Sequence, residues 1–170
     1  MLGYVTAEGR GAADKLLAEL ADSLHARGWP LAGVVQINRE TRPDRHCDMD
    51  LCVLGHDHSL RISQDLGPHS RGCRLDPIGL ENAVGLVEAD LDHRPALLII
   101  NKFGKSEVEG RGFRAVIGKA LSEGIPVLTS VNRNNLDGFL TYSADMAQAI
   151  APSYDALLAW CEQTCAARLA

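Results

Sequence analysis

The sequence predicts an α/β protein: a three-layer, mostly parallel sheet with helices on both faces and an inserted β-hairpin. Three observations carry that expectation. Two strand–turn–helix–strand units occupy roughly residues 2–37 and 96–131, and a crossover helix between two strands favours parallel pairing. The run Ala96–Ile100 is wholly apolar, as a central parallel strand covered on both faces must be. Two short alternating stretches, Met49–Leu54 and Leu60–Leu66, flank Gly55-His56-Asp57-His58. They read as a hairpin inserted at about 45–70 between the two units.

In chain order, Leu2–Thr6 is a buried-strand candidate and Ala7–Gly11 a glycine-containing turn. Leu16, Leu17, Leu20, Ala21 and Leu24 then recur on one face of an amphipathic helix. Gly28 stands where that helix should end, and Pro30 prevents its resumption. Leu31–Ile37 is the second strand. Leu80, Val84, Val87 and Leu91 mark a helix entered near Asp76-Pro77. Phe113, Val116, Ile117, Ala120 and Leu121 mark another, punctuated by Gly124 and Pro126, with Pro126–Val131 as the next strand. Tyr154, Leu157, Leu158, Cys161 and Cys165 share a face of a C-terminal helix. The chain of 170 residues is read as one domain.

Composition excludes several functions. An apolar fraction of 46% with 23% charged residues is globular, not disordered. Seventeen basic against 22 acidic residues leave a net charge of −5, a poor basis for gripping nucleic acid or anionic lipid. Aromatics at 5% supply few stacking platforms for single strands. No apolar run approaches the ~20 residues that span a bilayer. The start Met1-Leu2-Gly3-Tyr4-Val5 lacks the features of a signal peptide, so the expected location is the cytoplasm. Five cysteines, an odd count, argue against a disulfide framework. Homo-oligomerisation stays open.

The turn Thr6-Ala7-Glu8-Gly9-Arg10-Gly11-Ala12-Ala13-Asp14-Lys15 is the first candidate site. A glycine-rich turn between a strand and a helix is where phosphate sits in a P-loop, held by backbone N–H groups and the positive helix end. A working Walker A motif ends in Gly-Lys-Ser/Thr. Here Gly11 is followed by Ala12 and Ala13, so the phosphate lysine and the magnesium hydroxyl are both missing. Arg10 in the loop and Lys15 one turn into the helix are the remaining cations. Anion binding is compatible with this turn. Hydrolysis by the usual route is not, because it needs the missing groups.

The end of the apolar strand is the second candidate. It runs into Asn101-Lys102-Phe103-Gly104-Lys105-Ser106-Glu107-Val108-Glu109-Gly110-Arg111-Gly112. A P-loop enzyme ends this strand in a magnesium-holding aspartate; Asn101 is neutral and a poorer ligand for a hard cation. Loops at the carboxyl ends of parallel strands are where open α/β sheets bind ligands. Lys102, Lys105, Glu107, Glu109, Arg111 and Arg114 concentrate there, which points to recognition of a ligand or partner.

His46, Cys47, Cys52, His56, His58, His69 and Cys73 are scattered through the middle. They lack a zinc-ligand spacing and read as buried thiols and exposed imidazoles, with no metal site assigned. Arg71 and Arg74 flank Gly72-Cys73; their guanidinium forks suit an oxyanion and would lower the pKa of the thiol. Cys161 and Cys165, one helical turn apart, read as packing residues.

These residues carry two resemblances. The first covers nearly the whole chain: Gly-Arg-Gly-Ala-Ala-Asp-Lys-Leu-Leu at 9–17, Ala-Gly-Val-Val-Gln at 32–36 and Ile-Ser-Gln-Asp-Leu-Gly at 62–67. Gly-Cys-Arg-Leu-Asp at 72–76, the segment 101–112 and Gly-Ile-Pro-Val-Leu-Thr at 124–129 complete it. The chain resembles an uncharacterised bacterial domain-of-unknown-function family, some members of which are associated with molybdate-transport genes. More distantly, the order of strand, glycine turn, helix, strand and apolar strand is similar to that of small P-loop nucleoside triphosphatases of the type first described from thermophiles. In that comparison Gly104 and Glu107 match, Asn101 and Lys102 stand where the family has acids, and Ala12 and Ala13 replace the P-loop lysine and hydroxyl.

The expected function is therefore that of a degenerate P-loop-like protein binding a small anionic ligand, molybdate or a nucleotide, without efficient hydrolysis. Its expected anion-binding residues are Gly9, Arg10, Gly11, Ala12, Lys15, Arg74, Asn101, Lys102, Lys105, Glu107 and Arg111. Two alternatives remain: a magnesium-dependent nucleoside triphosphatase with Lys15 and Glu107 or Glu109 as relocated groups, and a regulatory or scaffold protein without a small ligand.

Overall fold

The computed structural model describes residues 1–39, 48–56, 59–63, 75–144 and 146–169. Its elements are β1 (Leu2–Val5), α1 (Ala12–Ala26), β2 (Leu31–Arg39), β3 (Asp48–Val53), β4 (Ser59–Arg61) and α2 (Pro77–Asp90). They continue with β5 (Leu97–Phe103), α3 (Lys105–Val108), α4 (Arg114–Ser122), β6 (Val127–Val131), α5 (Leu136–Ser143), β7 (Ala147–Ile150) and α6 (Tyr154–Leu169). The described strands form one seven-stranded sheet in the order β4-β3-β2-β5-β6-β1-β7. From β2 to β7 every neighbouring pair is parallel; β3 pairs antiparallel with both β2 and β4, so among the described strands it alone runs against the rest. The mostly parallel sheet expected from the two crossover units is what the chain forms.

Alternation along β5 shows how the layers are built. Leu97 and Ile99 face one side of the sheet, with Leu17, Leu20, Ala21 and Leu24 of α1 and Leu157, Trp160, Cys161 and Cys165 of α6. Leu98 and Ile100 face the other, with Leu80, Ala83 and Val87 of α2, Val116, Ile117 and Ala120 of α4, and Phe139 of α5. Period-two side chains thus feed two separate cores. Burying each of these large side chains contributes roughly 1.5–3 kcal/mol.

Helix boundaries follow local chemistry. Pro77 occupies the first turn of α2, and Asp76 caps it by accepting from the Ile78 amide at 3.1 Å. At the end of α1 the amides of Gly28 and Trp29 turn back to the carbonyls of His25 and Leu24, at 2.8 and 3.1 Å. These bonds satisfy two of the helix's last carbonyls.

Three differences from the expected elements matter. The apolar strand does not end at Ile100; β5 continues to Phe103, so Asn101 and Lys102 lie within the strand. The extension is held because β6 supplies a partner, Val131 opposite Phe103, beyond an irregularity after Ile100. The fully buried Phe103 ring also meets Phe139 edge-on at 5.1 Å. The hairpin is present, but β3 also pairs with β2, from Val34 opposite Val53 to Arg39 opposite Asp48, and so extends the sheet. The predicted hairpin ends at 45–47 and 64–70 lie outside the described residues. Finally α3, α5 and β7 were not expected; β7 is a half-exposed Ala-Gln-Ala-Ile strand at the sheet's edge. Among the described residues no helix is long and apolar enough to cross a membrane.

Candidate functional site

The glycine turn leaves β1 at Val5 and enters α1 at Ala12. Gly9 and Gly11 sit at φ 96° and 74°, the left-handed region that only glycine enters without strain. Within the turn the Ala12 amide reaches Gly9 O at 3.4 Å and the Lys15 amide reaches Gly11 O at 3.1 Å. Among the described residues, the N–H groups of Gly9, Arg10, Gly11 and Ala13 have no backbone acceptor. The Thr6 hydroxyl, at the entry to the turn, is buried and has no partner among the described residues.

Behind the turn lies a polar network at the carboxyl ends of the central strands. Asp14, in the first turn of α1, and Asn101, on β5, are 5% and 2% exposed. Asn101 Nδ2 donates to Asp14 Oδ1 at 2.9 Å. On its other side Asn101 Oδ1 accepts from the Gln36 backbone N–H of β2 at 2.9 Å. Gln36 Nε2 donates to Asp14 Oδ2 at 3.4 Å, and Ser130 Oγ of β6 donates to the Asn101 carbonyl at 2.5 Å. An amide side chain both donates and accepts, which is what this position requires. The next residue, Lys102, points outward with its side chain 43% exposed and Nζ 3.9 Å from Asp14 Oδ1.

The charged segment after β5 is organised around Glu107, which is 4% exposed. Its Oε2 accepts from the Gly104 amide at 2.8 Å and its Oε1 from the Phe113 amide at 3.1 Å. Burial raises the Glu107 carboxyl above its ordinary value, against the pull of these backbone N–H groups. Arg114 donates to the Glu107 carbonyl at 3.1 Å and lies over the Tyr142 ring at 4.5 Å. Lys105 and Arg111 are exposed and both pair with Glu109, whose carboxyl is held below its ordinary value chiefly by the Arg111 hydrogen bond.

A groove of about 390 Å³ opens beside the glycine turn, lined by Ala7, Ala12, Leu16 and Pro152, with Glu8, Lys15 and Glu19 at its walls.

The family model described as "protein of unknown function", DUF2478, matches residues 2–160. The chain is a member of this family. It is also 30% identical, over 151 residues, to the molybdenum import ATP-binding protein ModC 2 of Bradyrhizobium diazoefficiens. That match covers 89% of this chain but 17% of the relative, so the chain spans less than a fifth of that protein's length. Two solved structures share its fold. A human cancer-related nucleoside triphosphatase aligns with TM-score 0.63 and 16% identity, over 98% of this chain and 96% of that one. THEP1 from Aquifex aeolicus aligns with TM-score 0.66 and 12% identity, over 96% of each chain. The fold of this DUF2478 member is that of a small P-loop nucleoside triphosphatase.

Within that fold the DUF2478 chain brings Gly9, Arg10, Gly11, Ala12 and Lys15 into one turn, with Asn101 and Lys102 beside its helix. Lys105 and Arg111 are instead tied to Glu109 on the following loop. Glu107 is turned inward, with both carboxylate oxygens on backbone amides. Arg74, His46, Cys47, His58, His69 and Cys73 lie outside the described residues. His56 meets Asp90 at 3.0 Å. Cys161 and Cys165 are fully buried; burial raises both thiols, that of Cys165 to about 11.

Three members of the network, Asp14, Gln36 and Ser130, were not singled out from the sequence. Gln36 had a signal: it is the one polar side chain in the run Leu31–Ile37. Asp14 carries no such signal, since an acid in the first turn of a helix suits the helix dipole wherever it occurs.

Proposed function

We propose that this DUF2478 protein binds an oxyanion or phosphorylated ligand at the glycine turn before α1, and does not hydrolyse nucleoside triphosphates by the usual P-loop route. The observation that carries this reading is the set of amides at Gly9, Arg10, Gly11 and Ala13 without backbone acceptors, created by two left-handed glycines. Such a nest at a helix start suits an anion. Arg10, Lys15 and Lys102 are the cations nearest in chain and network, and Asn101 fixes the strand end against α1.

Three substitutions argue against hydrolysis. Ala12 and Ala13 stand where the lysine and the magnesium hydroxyl belong, and Asn101 stands where the strand-end acid belongs. Glu107, the acid expected in a relocated mechanism, is already engaged by the Gly104 and Phe113 amides. Molybdate and nucleotides are the candidate ligands, and the relative, a molybdenum import ATP-binding protein, is in keeping with both. The net charge of −5 disfavours nucleic acid and anionic lipid as partners.

A thermal-shift titration with molybdate, tungstate, sulfate, phosphate, ATP and GTP, with and without Mg²⁺, tests the reading. A ligand at 100 times its Kd adds ~2.7 kcal/mol of stability. The expected result is a shift with at least one of these anions, weakened in Arg10→Ala and Lys102→Ala, and no phosphate release from ATP or GTP. No shift with any anion overturns the binding reading. Mg²⁺-dependent phosphate release overturns the claim about hydrolysis.

A further inference from the structure

Two loops meet at the mouth of the glycine turn. β1 and β6 are parallel neighbours, with Val5 opposite Ser130. Both chains leave the sheet at the same end, so Glu8, three residues past Val5, and Arg133, three past Ser130, come side by side. Arg133 Nη2 donates to Glu8 Oε1, 125 positions away in the chain. The carboxyl ends of parallel strands are where open α/β sheets take up ligands.

As a structural tie this pair is weak. The Arg133 and Glu8 side chains are 77% and 81% exposed, and an ion pair so open to water is worth at most a factor of about five in an equilibrium. Beside the turn it is unfavourable to an anion. Glu8 precedes Gly9, the first of the amides without a backbone acceptor, and its carboxylate repels any anion brought to them. It also occupies a guanidinium whose fork of donors suits an oxyanion. Glu8 therefore offers Arg133 what an oxyanion would offer, namely oxygens that share negative charge. Two residues earlier, the Thr6 hydroxyl oxygen is buried without a partner among the described residues. Buried polar groups are normally paired, so a polar ligand seated in the turn has a group left to satisfy.

We infer that Glu8 is a built-in competitor of the anion. It holds Arg133 in the free protein; a bound oxyanion takes the guanidinium over, and the Glu8 carboxylate turns out to solvent. The inference rests on the anion-binding reading and adds the regulation of that site. Apparent affinity is lowered according to the fraction of molecules in which Glu8 still holds Arg133.

Calorimetric titration of the full chain with molybdate and with inorganic triphosphate, at low salt where exposed charges are least screened, tests it. Glu8→Gln should tighten binding of the anion that the wild type binds by about fivefold. Arg133→Ala should weaken it by a similar factor. In the Arg133→Ala background the gain from Glu8→Gln should fall to about twofold or less, because no guanidinium remains to be released. Glu19→Gln, which removes a carboxylate from the adjacent groove wall, should gain less than Glu8→Gln. Binding that appears only in Glu8→Gln also supports the inference. An unchanged or weakened Glu8→Gln beside a wild type that binds overturns it and leaves the anion site standing. An equal gain in the Arg133→Ala background overturns the transfer of Arg133. An equal gain from Glu19→Gln assigns the effect to overall charge and overturns it even where Arg133→Ala does not fold. Silence of the wild type and every variant overturns the anion reading, and the competitor with it.

Discussion

Asn101 and Asp14, 87 positions apart in the chain, form a buried amide–carboxylate pair at 2.9 Å. It joins α1 to β5 where a P-loop enzyme joins the same two elements through its hydroxyl, metal ion and acid. The amide supplies a donor to Asp14 and an acceptor to the Gln36 backbone at once. An aspartate at 101 would keep only the acceptor.

Asn101→Asp should therefore destabilise the protein at neutral pH, by about 2–4 kcal/mol from the lost donor and the repulsion of two carboxylates. The repulsion raises one folded-state carboxyl above its unfolded value. The folded variant then binds protons more readily, so its deficit shrinks as pH falls and grows as pH rises. Urea denaturation at pH 5 and pH 8 reads this directly. A deficit independent of pH would mean that the two groups do not interact as charges.

Glu107 predicts a second pH dependence. Burial raises its carboxyl above the ordinary value of 4.5, so its protonated form is favoured by folding. The stability this contributes is fully present below the unfolded value and is lost as pH rises through the folded one. Glu107→Gln cannot titrate, and it presents an NH₂ group to one of the amides of Gly104 and Phe113. It should lose about 1–3 kcal/mol, with the largest gap to wild type on the acid side of the transition. Paired denaturation curves from pH 4 upward check the sign; a gap that widens with rising pH would contradict it.

Much of the fold was legible in the sequence because its core elements are long and periodic. The α1 stripe from Leu17 to Leu24 and the apolar β5 run state their own burial. β7 and α5 were not legible: Ala147–Ile150 has neither alternation nor a strong strand composition. What makes β7 a strand is its pairing with β1, Leu2 opposite Ala147, a contact 145 residues distant that no local pattern encodes. The glycine turn was legible from Gly9 and Gly11. The Asp14–Gln36–Asn101 network was not, because it is assembled from three elements that meet only when the sheet forms. Glu107 shows the converse. Its place in a charged segment suggested a ligand, and only the burial of its carboxylate reveals a backbone clamp.

Cys161 and Cys165 should be silent to alkylation in the native protein. Both are fully buried among α1 and α6 side chains, and burial holds their thiols protonated well above neutrality. The thiolate is the reactive form. Iodoacetamide at pH 8 followed by peptide mass mapping should leave the peptide carrying both cysteines unmodified, and label it fully in denaturant. Rapid native labelling of either one would show that α6 opens from the sheet.

The loop that Glu107 clamps also contains a pair of glycines that separate two physical effects. Gly110 and Gly112 both sit at positive φ, 88° and 59°. A Cβ on Gly110 meets nothing within 4 Å, whereas one on Gly112 overlaps Glu107 Oε1. Gly110→Ala should cost only the left-handed strain of a residue with a Cβ, ~1–2 kcal/mol. Gly112→Ala adds displacement of the carboxylate from the Gly104 and Phe113 amides, for about 3–4 kcal/mol in all. The excess should vanish in a Glu107→Ala background, where no carboxylate remains to be displaced. Denaturation of Gly110→Ala, Gly112→Ala, Glu107→Ala and the Glu107→Ala/Gly112→Ala double variant measures each step. Equal costs for the two alanine substitutions would show that Glu107 does not hold this loop.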